Sequence, residues 1–483
     1  MTFLGVDVTT LERTKHRLIG STGTEESAAL RRRVHTAAAE LVRRGVRAGD
    51  RVLVQADNST DYVVALLALM QVDVSVVPVD PRQAPADVGA AARQSRARWL
   101  LTDRRPPSDP VGGRVLVTAE LGRAGAGDGA YDGEVDLSSW FRRRDAVVLW
   151  SSGTTGRPKG IVKSGSAVLD NTERTALVMG YSAQDVMVPL LPFSHQYGLS
   201  VVLLWWQAGC TLVVTPYQRL DLALSQAVAH GVTCVDAAPP TYHALLGVAR
   251  RRPALRAQLG AVRVWGVGGA PLPAPLAKTF RAEIGTPLLD GYGLSELGNV
   301  ALATPEVPVA CGRPLPGVGV RVVAPDGRPA APGELGRIEV RSPGRMEGYL
   351  TEEGELVPAD DGWFRTGDVG SLDAGGLLYV SGRDRAVHRL GYTIFPESLE
   401  RKAEECGRQI KIVPVADVRR GHALHFVVAD PDGHSALTWR RRIAPHLADF
   451  EQPNAVHVVD SFPVSLNGKI DTTALRQLIG VAS

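Results

Sequence analysis

The chain has 483 residues, of which 44% are hydrophobic and 22% charged, and its formal net charge is +3. This length exceeds what one hydrophobic core normally holds and predicts about three structural units. The composition is that of a globular protein, and the small net charge provides no broad basic field, so we expect no nucleic acid partner.

The four cysteines lie far apart, and none belongs to a Cys-x-x-Cys pair. Their spacing indicates neither a zinc site nor a disulfide framework, and a reducing cytoplasm fits best. The first ten residues lack the basic-then-apolar order of a secretory signal. The longest apolar stretch, residues 199–214, is interrupted by Gln207 and is too short for a bilayer, so we expect no membrane span.

The first third of the chain alternates helix-like and strand-like segments. The predicted elements are a helix over residues 25–45, a strand over 51–54, a helix over 61–70 and a strand over 72–79. Such alternation predicts a parallel, doubly wound α/β sheet. Residues 104–136 are rich in Gly, Pro and Asp and are predicted to form a loop with one short strand near Val115. The basic triplet at residues 142–144 is interpreted as a solvated face.

A glycine- and hydroxyl-rich loop, residues 151–160, follows an apolar run. Glycine permits positive φ and close approach of the backbone, so successive N–H groups can point into one concavity, to which Lys159 adds a positive charge. Such a loop suits a polyphosphate. It is not the usual P-loop, because Pro158 and Gly160 flank the lysine. Composition alone is equally compatible with a polar surface loop.

A second α/β unit is predicted after this loop, with helices between its strands. Its strand candidates are residues 186–191, 211–215, 232–236, 262–267 and 286–289. The unit ends in the glycine-broken turn Asp-Gly-Tyr-Gly-Leu-Ser-Glu at 290–296, which follows the carboxyl end of a strand. Ligands of open α/β sheets bind at that edge.

From about residue 305 the sequence turns to Gly, Pro and short alternating strands, which predicts a small β unit. The candidate strands are residues 318–323, 337–341 and 377–380. A compact tail with mixed short helices and strands follows. We therefore predict a large N-terminal domain over residues 1–383 and a smaller α+β C-terminal domain over residues 384–483.

Five stretches, in this order and at these spacings, resemble the adenylate-forming (AMP-binding) enzyme superfamily, which includes acyl- and aryl-CoA synthetases, luciferases and adenylation domains of peptide synthetases. They are the loop at 151–160, the turn at 290–296, Trp-Phe-Arg-Thr-Gly-Asp at 363–368, Gly-Arg-Asp at 382–384 and Pro-Val-Ser-Leu-Asn-Gly-Lys at 463–469. The resemblance covers nearly the whole chain. It implies that a carboxylate attacks the α-phosphate of ATP, that pyrophosphate leaves, and that a thiol usually captures the acyl-adenylate.

The resemblance also implies a nucleotide site. Phosphoryl transfer depends on positioning and on neutralising charge, and Glu296 and Thr154 would hold Mg²⁺. Tyr292 would stack on adenine, Asp290 would accept a bond from its amino group, and Asp368 would bind both ribose hydroxyls. Without the family resemblance, Glu296, Asp290 and Asp368 would be interpreted as ordinary turn or surface residues. The implied ATP- and AMP-binding residues are Ser151, Ser152, Gly153, Thr154, Thr155, Gly156, Lys159, Asp290, Gly291, Tyr292, Ser295, Asp368 and Arg383.

Lys469 is the residue that we expect to carry adenylation, because the resemblance implies that its ammonium bridges the substrate carboxylate and the α-phosphate. From local sequence alone, Asn-Gly-Lys is a hairpin turn with an exposed lysine. The resemblance further implies that the C-terminal domain rotates about Asp384 after adenylation and forms a tunnel for the thiol. A hinge residue needs only to tolerate a large φ/ψ change, so nothing local proves that role.

The acyl substrate is predicted from His195, which matches a position where acyl- and aryl-CoA synthetases often carry histidine, and which we group with Lys469 and Glu296 as catalytic. Amino-acid-activating domains have an aspartate nearby, whereas no acidic residue occurs between Asp185 and Asp221. We therefore favour an aryl acid, narrowly over a medium-chain acyl acid, and disfavour an α-amino acid. The alternative for His195 is a core histidine held by backbone bonds. By resemblance, the acyl pocket is lined by His195, Tyr197, Pro239, Thr241, Tyr242, Val267, Gly268, Gly269, Ala270 and Leu294.

The acceptor stays open at the level of sequence. After Arg383 the chain is one residue shorter than the common family pattern, with His388 where lysine is frequent. Because this segment faces the thiol in the family, CoA and the phosphopantetheine arm of a separate acyl or peptidyl carrier protein are both retained. Two alternatives are an amide-forming enzyme, in which an amine captures the adenylate, and a catalytically dead nucleotide-binding regulator. The presence of Lys469 and Glu296 disfavours the regulator.

Overall fold

The computed structural model describes most of the chain. The described residues are 2–3, 6–7, 16–21, 23–104, 110–121, 134–151, 159–383, 387–389, 392–417, 420–448, 451–465 and 469–481. The loop residues 152–158 and the predicted hinge Asp384 lie outside these ranges. Among the described residues, no helix is both long enough and apolar enough to cross a membrane.

The first third of the chain supplies most of one sheet. The strands in the first third of the chain are β1 (Thr2–Phe3), β2 (Val6–Asp7), β3 (Arg17–Gly20), β4 (Gly23–Glu26), β5 (Arg51–Gln55), β6 (Ser75–Pro78), β7 (Trp99–Thr102), β8 (Val115–Val117) and β9 (Val147–Ser151). Its helices are α1 (Ser27–Arg43), α2 (Thr60–Gln71), α3 (Pro85–Ser95), α4 (Thr118–Leu121) and α5 (Ser138–Arg142). Strands β5 to β9 are parallel where they pair and are largely apolar, as expected for strands that are covered on both faces.

The middle of the chain supplies most of a second sheet. The strands in this part of the chain are β10 (Lys159–Lys163), β11 (Val186–Leu190), β12 (Thr211–Val213), β13 (Cys234–Ala237), β14 (Val264–Val267) and β15 (Leu289–Leu294). Its helices are α6 (Gly165–Met179), α7 (Gln196–Ala208), α8 (Leu220–Ala229), α9 (Pro239–Arg251), α10 (Pro253–Leu259) and α11 (Ala274–Ile284). Strands β11 to β15 run parallel, so their carboxyl ends and the loops that follow them share one edge.

A β-rich segment follows. Its strands are β16 (Gly298–Leu302), β17 (Arg313–Pro314), β18 (Gly319–Val323), β19 (Gly336–Arg341), β20 (Gly348–Leu350), β21 (Leu356–Pro358), β22 (Phe364–Leu372) and β23 (Leu378–Arg383). Four of them form an antiparallel sheet in the order β18-β19-β22-β23. In that sheet Asp368 lies directly opposite Arg383 across β22 and β23.

The C-terminal part is α+β, as predicted. Its strands are β24 (Val387–Arg389), β25 (Tyr392–Ile394), β26 (Ile410–Asp417), β27 (Gly421–Ala429) and β28 (Ala455–Val459), and its α-helices are α12 (Pro396–Ala403), α13 (Ala436–Ile443) and α14 (Thr472–Leu478). Two short 3-10 turns lie at Glu404–Cys406 and Ala444–His446. One face of the β26-β27-β28 sheet packs in a core with Trp439 and Ile443 of α13.

The fold class is confirmed, but the sheets do not follow chain order. The larger sheet has the order β17-β16-β15-β14-β13-β11-β12-β3-β4, so the early hairpin β3–β4 joins it. The other sheet has the order β21-β20-β10-β9-β6-β5-β7-β8, so β10, β20 and β21 return to the first unit. The local period of apolar residues predicts a strand but not its distant partner, which is why these pairings were not predicted.

The prediction of a solvated basic triplet at 142–144 was wrong for its middle member. Only 16% of the Arg143 side chain is exposed. Its guanidinium pairs with Asp73 at 3.4 Å and with Asp145 at 3.0 Å. A run of like charges is a poor guide here because each successive side chain points in a different direction.

Candidate active site

The glycine-rich loop is framed by a hairpin. Strands β9 and β10 pair antiparallel, with Ser151 opposite Lys159, so both ends of the predicted phosphate loop are held together. The predicted ligands Ser152, Gly153, Thr154, Thr155 and Gly156 lie outside the described residues. Their part in binding phosphate stays a prediction.

Tyr349 of β20 links this hairpin to the predicted metal ligand. Its hydroxyl donates a hydrogen bond of 3.0 Å to Oε1 of Glu296. The ammonium of Lys159 lies 5.4 Å from the centre of the Tyr349 ring. Lys159 and Glu296, which are far apart in sequence, therefore both contact the Tyr349 side chain. Tyr349 was not predicted from the sequence, because a tyrosine in a short strand belongs to none of the recognised motifs.

Glu296 is suited to a divalent cation. Its side chain is half-buried, and the hydrogen bond from Tyr349 occupies only Oε1. Among the described residues, Oε2 accepts no hydrogen bond. A carboxylate oxygen of this kind fits Mg²⁺, which takes oxygen ligands and usually keeps substrate phosphates and waters in its shell.

Asp368 is the centre of a second group. Its Oδ2 accepts a hydrogen bond of 2.6 Å from the hydroxyl of Tyr292, and its Oδ1 lies 3.1 Å from Nε of Arg383. Burial raises the pKa of the Asp368 carboxyl, against the lowering effects of the Arg383 guanidinium and the Tyr292 hydroxyl. The structure thus joins the predicted adenine residue to the two predicted ribose residues through direct contacts.

Lys469 lies within electrostatic reach of both groups. The residue as a whole is exposed, but loss of water around its ammonium and the positive charge of Arg383 lower the pKa of Lys469, whereas Asp368 and Glu296 act to raise it. The hydrogen bond from Ser465 N–H to the Lys469 carbonyl, 2.7 Å long, closes the predicted hairpin. Lys469 therefore lies at the end of a hairpin, as the local sequence predicts, and its ammonium also interacts with the nucleotide residues.

Asp290 lies at the start of β15 beside this group. The residue is half-buried, and the Cys311 thiol donates to its Oδ2 over 3.6 Å. Burial raises the pKa of Asp290 to about 7, against the smaller lowering effect of the Cys311 hydrogen bond. Its neighbours Gly291 and Ser295 are also half-buried, so this turn keeps open surface for a ligand.

His195 is not a core histidine held by backbone bonds. It immediately precedes α7, and its Nε2 lies 3.2 Å from Oδ2 of Asp80, which follows β6. Asp80 also accepts hydrogen bonds of 3.0 Å and 2.8 Å from the Arg82 guanidinium. Although burial acts to raise it, the hydrogen bonds from His195 and Arg82 hold the pKa of Asp80 well below its usual range.

Asp80 and Arg82 were not predicted as site residues from the sequence. Asp80 directly follows the predicted strand over residues 72–79, and an acidic residue at the carboxyl end of a parallel strand is a signal that could have identified it. The contact matters because a carboxylate bonded to one ring nitrogen fixes the orientation of the imidazole.

Tyr197 and Gly268 form one wall of the predicted acyl pocket. A Cβ on Gly268 would lie 3.2 Å from Cε1 of Tyr197 and 3.5 Å from the Gly291 carbonyl oxygen. Gly269 has a φ of +79° and open space where a Cβ would be, and Ala270 is half-buried. Gly268 is therefore packed against Tyr197, and open space remains beside Gly269.

Other predicted lining residues point elsewhere. The side chain of Val267 packs with Trp265 in the core cluster on the other face of the sheet, since neighbouring residues of a strand face opposite sides. Tyr242 belongs to the same cluster, and its hydroxyl bonds to the Val235 and Gly266 carbonyls. Leu294 packs against the core of the β-rich segment. Pro239 is buried and Thr241 half-buried in the first turn of α9.

Lys163, at the end of β10, is an unexpected charge near Glu296. The residue is fully buried, and its Nζ has no hydrogen-bond partner among the described residues. Burial lowers the pKa of Lys163 to about 7, and the negative charge of Glu296 acts in the opposite direction. Lys163 belongs to none of the motifs recognised in the sequence.

The chain is similar to known proteins. A family model described as AMP-binding enzyme matches residues 19–350. A feruloyl-CoA synthase from an Amycolatopsis species is 29% identical, with 94% of each chain covered. A 4-coumarate–CoA ligase from Oryza sativa subsp. japonica is 30% identical over 93% of this chain and 88% of its own length. The structure of the amide bond synthetase McbA from Marinactinospora thermotolerans superposes with a TM-score of 0.83 at 25% identity, covering 97% of this chain and 98% of that one.

The family model spans more than half of the sequence, and its match includes the phosphate-loop hairpin and the Glu296 turn. The relatives are similar over almost their full lengths rather than over one shared module. These matches confirm the family resemblance inferred from the sequence. The chain belongs to the AMP-binding enzyme family.

Proposed function

We propose that this protein uses ATP to convert an aryl or medium-chain carboxylic acid into an acyl-adenylate, releasing pyrophosphate, and then transfers the acyl group to the thiol of CoA or of a separate carrier protein. The observation that supports this proposal most directly is that the Lys469 ammonium interacts electrostatically with Glu296, Asp368 and Arg383. One ammonium thus approaches both the predicted metal ligand and the predicted ribose ligands.

Each residue has a physical task in the first half-reaction. Asp368 and Arg383 would fix the ribose, and Lys159 would neutralise phosphate charge near Tyr349. Glu296 would hold Mg²⁺, which supplies charge neutralisation at the phosphates when bound. Lys469 would hydrogen-bond to the substrate carboxylate and to the α-phosphate, stabilising the charge that develops in the in-line displacement.

An aryl acid is supported by the relatives and by the pocket. Similarity to a feruloyl-CoA synthase and to a 4-coumarate–CoA ligase favours an aromatic substrate. The open space beside Gly269, next to the Tyr197–Gly268 wall, suits a planar group. The His195–Asp80 pair lies at the start of α7, two residues before Tyr197, and would face the carboxylate end of the acid.

An amide-forming second half-reaction is the alternative, and the likeness to the amide bond synthetase McbA favours it. In that case an amine would attack the adenylate carbonyl and AMP would leave. A cytoplasmic location is also part of the proposal, supported by the need for ATP and by four free cysteines.

Product analysis tests the acceptor. The purified protein is incubated with ATP, Mg²⁺ and an aryl acid, together with CoA, a phosphopantetheinylated carrier protein or a panel of amines, and the products are identified by mass spectrometry. The proposal predicts AMP and a thioester. An amide without any thioester would select the alternative, and absence of AMP in all three mixtures would contradict the proposed function.

A further inference from the structure

Asp236 is a buried acid that none of the nucleotide contacts uses. It lies in β13, directly opposite Gly266 of the neighbouring strand β14, and only 5% of its surface is exposed. The Tyr197 hydroxyl donates a hydrogen bond of 2.8 Å to its Oδ1. Among the described residues, no cationic side chain lies within ion-pair distance of this carboxyl.

The surrounding glycines make room for this acid. A Cβ on Gly266 would lie 2.3 Å from Oδ1 of Asp236 and 3.1 Å from the Tyr197 hydroxyl oxygen. Any larger residue at 266 would therefore displace the carboxyl or the tyrosine. Gly268 packs against the edge of the same Tyr197 ring. The acid thus lies directly beside the Tyr197 side chain, which lines the predicted acyl pocket.

A carboxyl in this setting is not satisfied by its protein contacts. Burial raises the pKa of Asp236 to about 6, and the Tyr197 hydrogen bond only partly opposes that effect. A buried ionised group is costly unless it is paired, and one neutral donor is a weak partner for it. A ligand that brings a donor or a positive charge to this carboxyl would be bound selectively, because the cost of burying the acid is already present in the free protein.

We propose that Asp236, together with Tyr197, is a specificity determinant that selects acids carrying an N–H donor, such as an amino group or a ring N–H, on the part remote from their carboxylate. This inference rests on the proposed function and narrows its substrate class. No acidic residue lies between Asp185 and Asp221 in the sequence, but Asp236 contacts Tyr197 from the separate strand β13.

Matched acids test the inference. Acid-dependent exchange of labelled pyrophosphate into ATP is measured with benzoic acid, its 3- and 4-amino derivatives, the corresponding methylbenzoic acids, and pyrrole- and indole-carboxylic acids. The methyl group matches the amino group in size without donating a hydrogen bond. We expect kcat/KM to be at least about tenfold higher for an amino or ring N–H acid than for its matched partner, as for loss of one hydrogen bond to a charged group.

Two variants distinguish a role of Asp236 in substrate selection from a purely structural role. Asp236→Asn keeps the shape and removes the charge, and it should reduce the amino-to-methyl preference about tenfold, mainly through KM. Tyr379→Phe, at an exposed position of β23 away from the pocket, should leave the preference unchanged. For wild type, KM for the favoured acid should fall as the pH rises through about 6, where Asp236 ionises.

The outcomes are distinguishable. Exchange with benzoic and methylbenzoic acids equal to that with every N–H acid would overturn the inference and leave the proposed function intact. An unchanged preference in folded Asp236→Asn would also overturn it. If Asp236→Asn does not fold, the wild-type comparison and its pH profile decide alone. No exchange with any acid would contradict the proposed function itself.

Discussion

Lys163 shows how much one buried charge costs this protein. Its ammonium has no hydrogen-bond partner among the described residues and lies in the core at the end of β10. Because burial lowers the pKa of Lys163 to about 7 from an ordinary value of 10.5, the unfolded chain binds a proton that the folded chain lacks between these two values. The charge therefore opposes folding fully below pH 7, and this penalty fades as the pH rises towards 10.

Replacing Lys163 should therefore stabilise the fold. We expect Lys163→Met to raise the free energy of unfolding by roughly 2–4 kcal/mol near pH 6, with the gain shrinking between pH 7 and pH 10. Urea unfolding at several pH values measures it. Lys159→Met, at an exposed lysine of the same strand, is the control and should change stability little. A gain that does not depend on pH would contradict the account.

The Tyr292 hydroxyl allows a second test at this scale. It donates to Oδ2 of Asp368, so Tyr292→Phe removes one of the contacts that lower the pKa of that carboxyl, and the pKa should rise further. We expect KM for ATP to increase roughly threefold to tenfold, and its rise on acidification to begin at higher pH. Steady-state kinetics between pH 5 and pH 8 measures both. Tyr379→Phe, on an exposed position of β23, should leave the pH dependence unaltered.

Individual site residues were predicted from the sequence only where they belong to a recognised motif. Glu296, Asp368, Arg383 and Lys469 each belong to a recognised stretch, and the structure brings them into one neighbourhood. Tyr349 and Asp236 act through contacts between distant strands, and no spacing in the sequence records those contacts. Such positions are known only when the sheets are assembled.

At the scale of elements, the hairpin that carries Lys469 is the part of the C-terminal region to which the proposed function gives a catalytic role. Val464 pairs with Ile470 across it, and the Asp471 side chain accepts hydrogen bonds from the first turn of α14. The hairpin is thus held from both sides, so that the lysine presented between them has a defined position. We expect loss of the ammonium to affect the adenylation step alone, because the role proposed for Lys469 belongs to that step.

We expect Lys469→Ala to slow adenylation about 10²- to 10³-fold or more and to leave thioester formation from a supplied acyl-adenylate largely intact. Rapid-quench measurements of the two half-reactions separate these steps. Lys278→Ala, at an exposed lysine of α11, is the control and should slow neither step. Equal losses in both half-reactions would refute the role given to Lys469.

Most elements were predicted close to their observed bounds. The strand predicted over residues 318–323 is β18 at Gly319–Val323, and the helix predicted over 61–70 is α2 at Thr60–Gln71. Hydrophobic period and glycine punctuation contain this local information. The short helix α4, which directly follows β8 within the predicted loop, was missed because four residues are too few to show a helical period.

At the scale of the whole molecule, the chain crosses between its two large sheets. The hairpin β3–β4 extends one sheet, and β20 and β21 extend the other. Through β20, the Glu296 turn of one unit is connected to the phosphate-loop hairpin of the other by Tyr349. The active site is thus built where the units exchange strands, and this exchange depends on long-range pairing that the sequence does not display.

Acid-dependent exchange of labelled pyrophosphate into ATP tests the central claim most directly, because it reports the adenylation step without any acceptor. The account predicts exchange that requires Mg²⁺ and one class of aryl acid and that is lost in Lys469→Ala. Exchange that persists undiminished in Lys469→Ala, or folded protein that binds ATP and shows no exchange with any aryl or medium-chain acid, would contradict it.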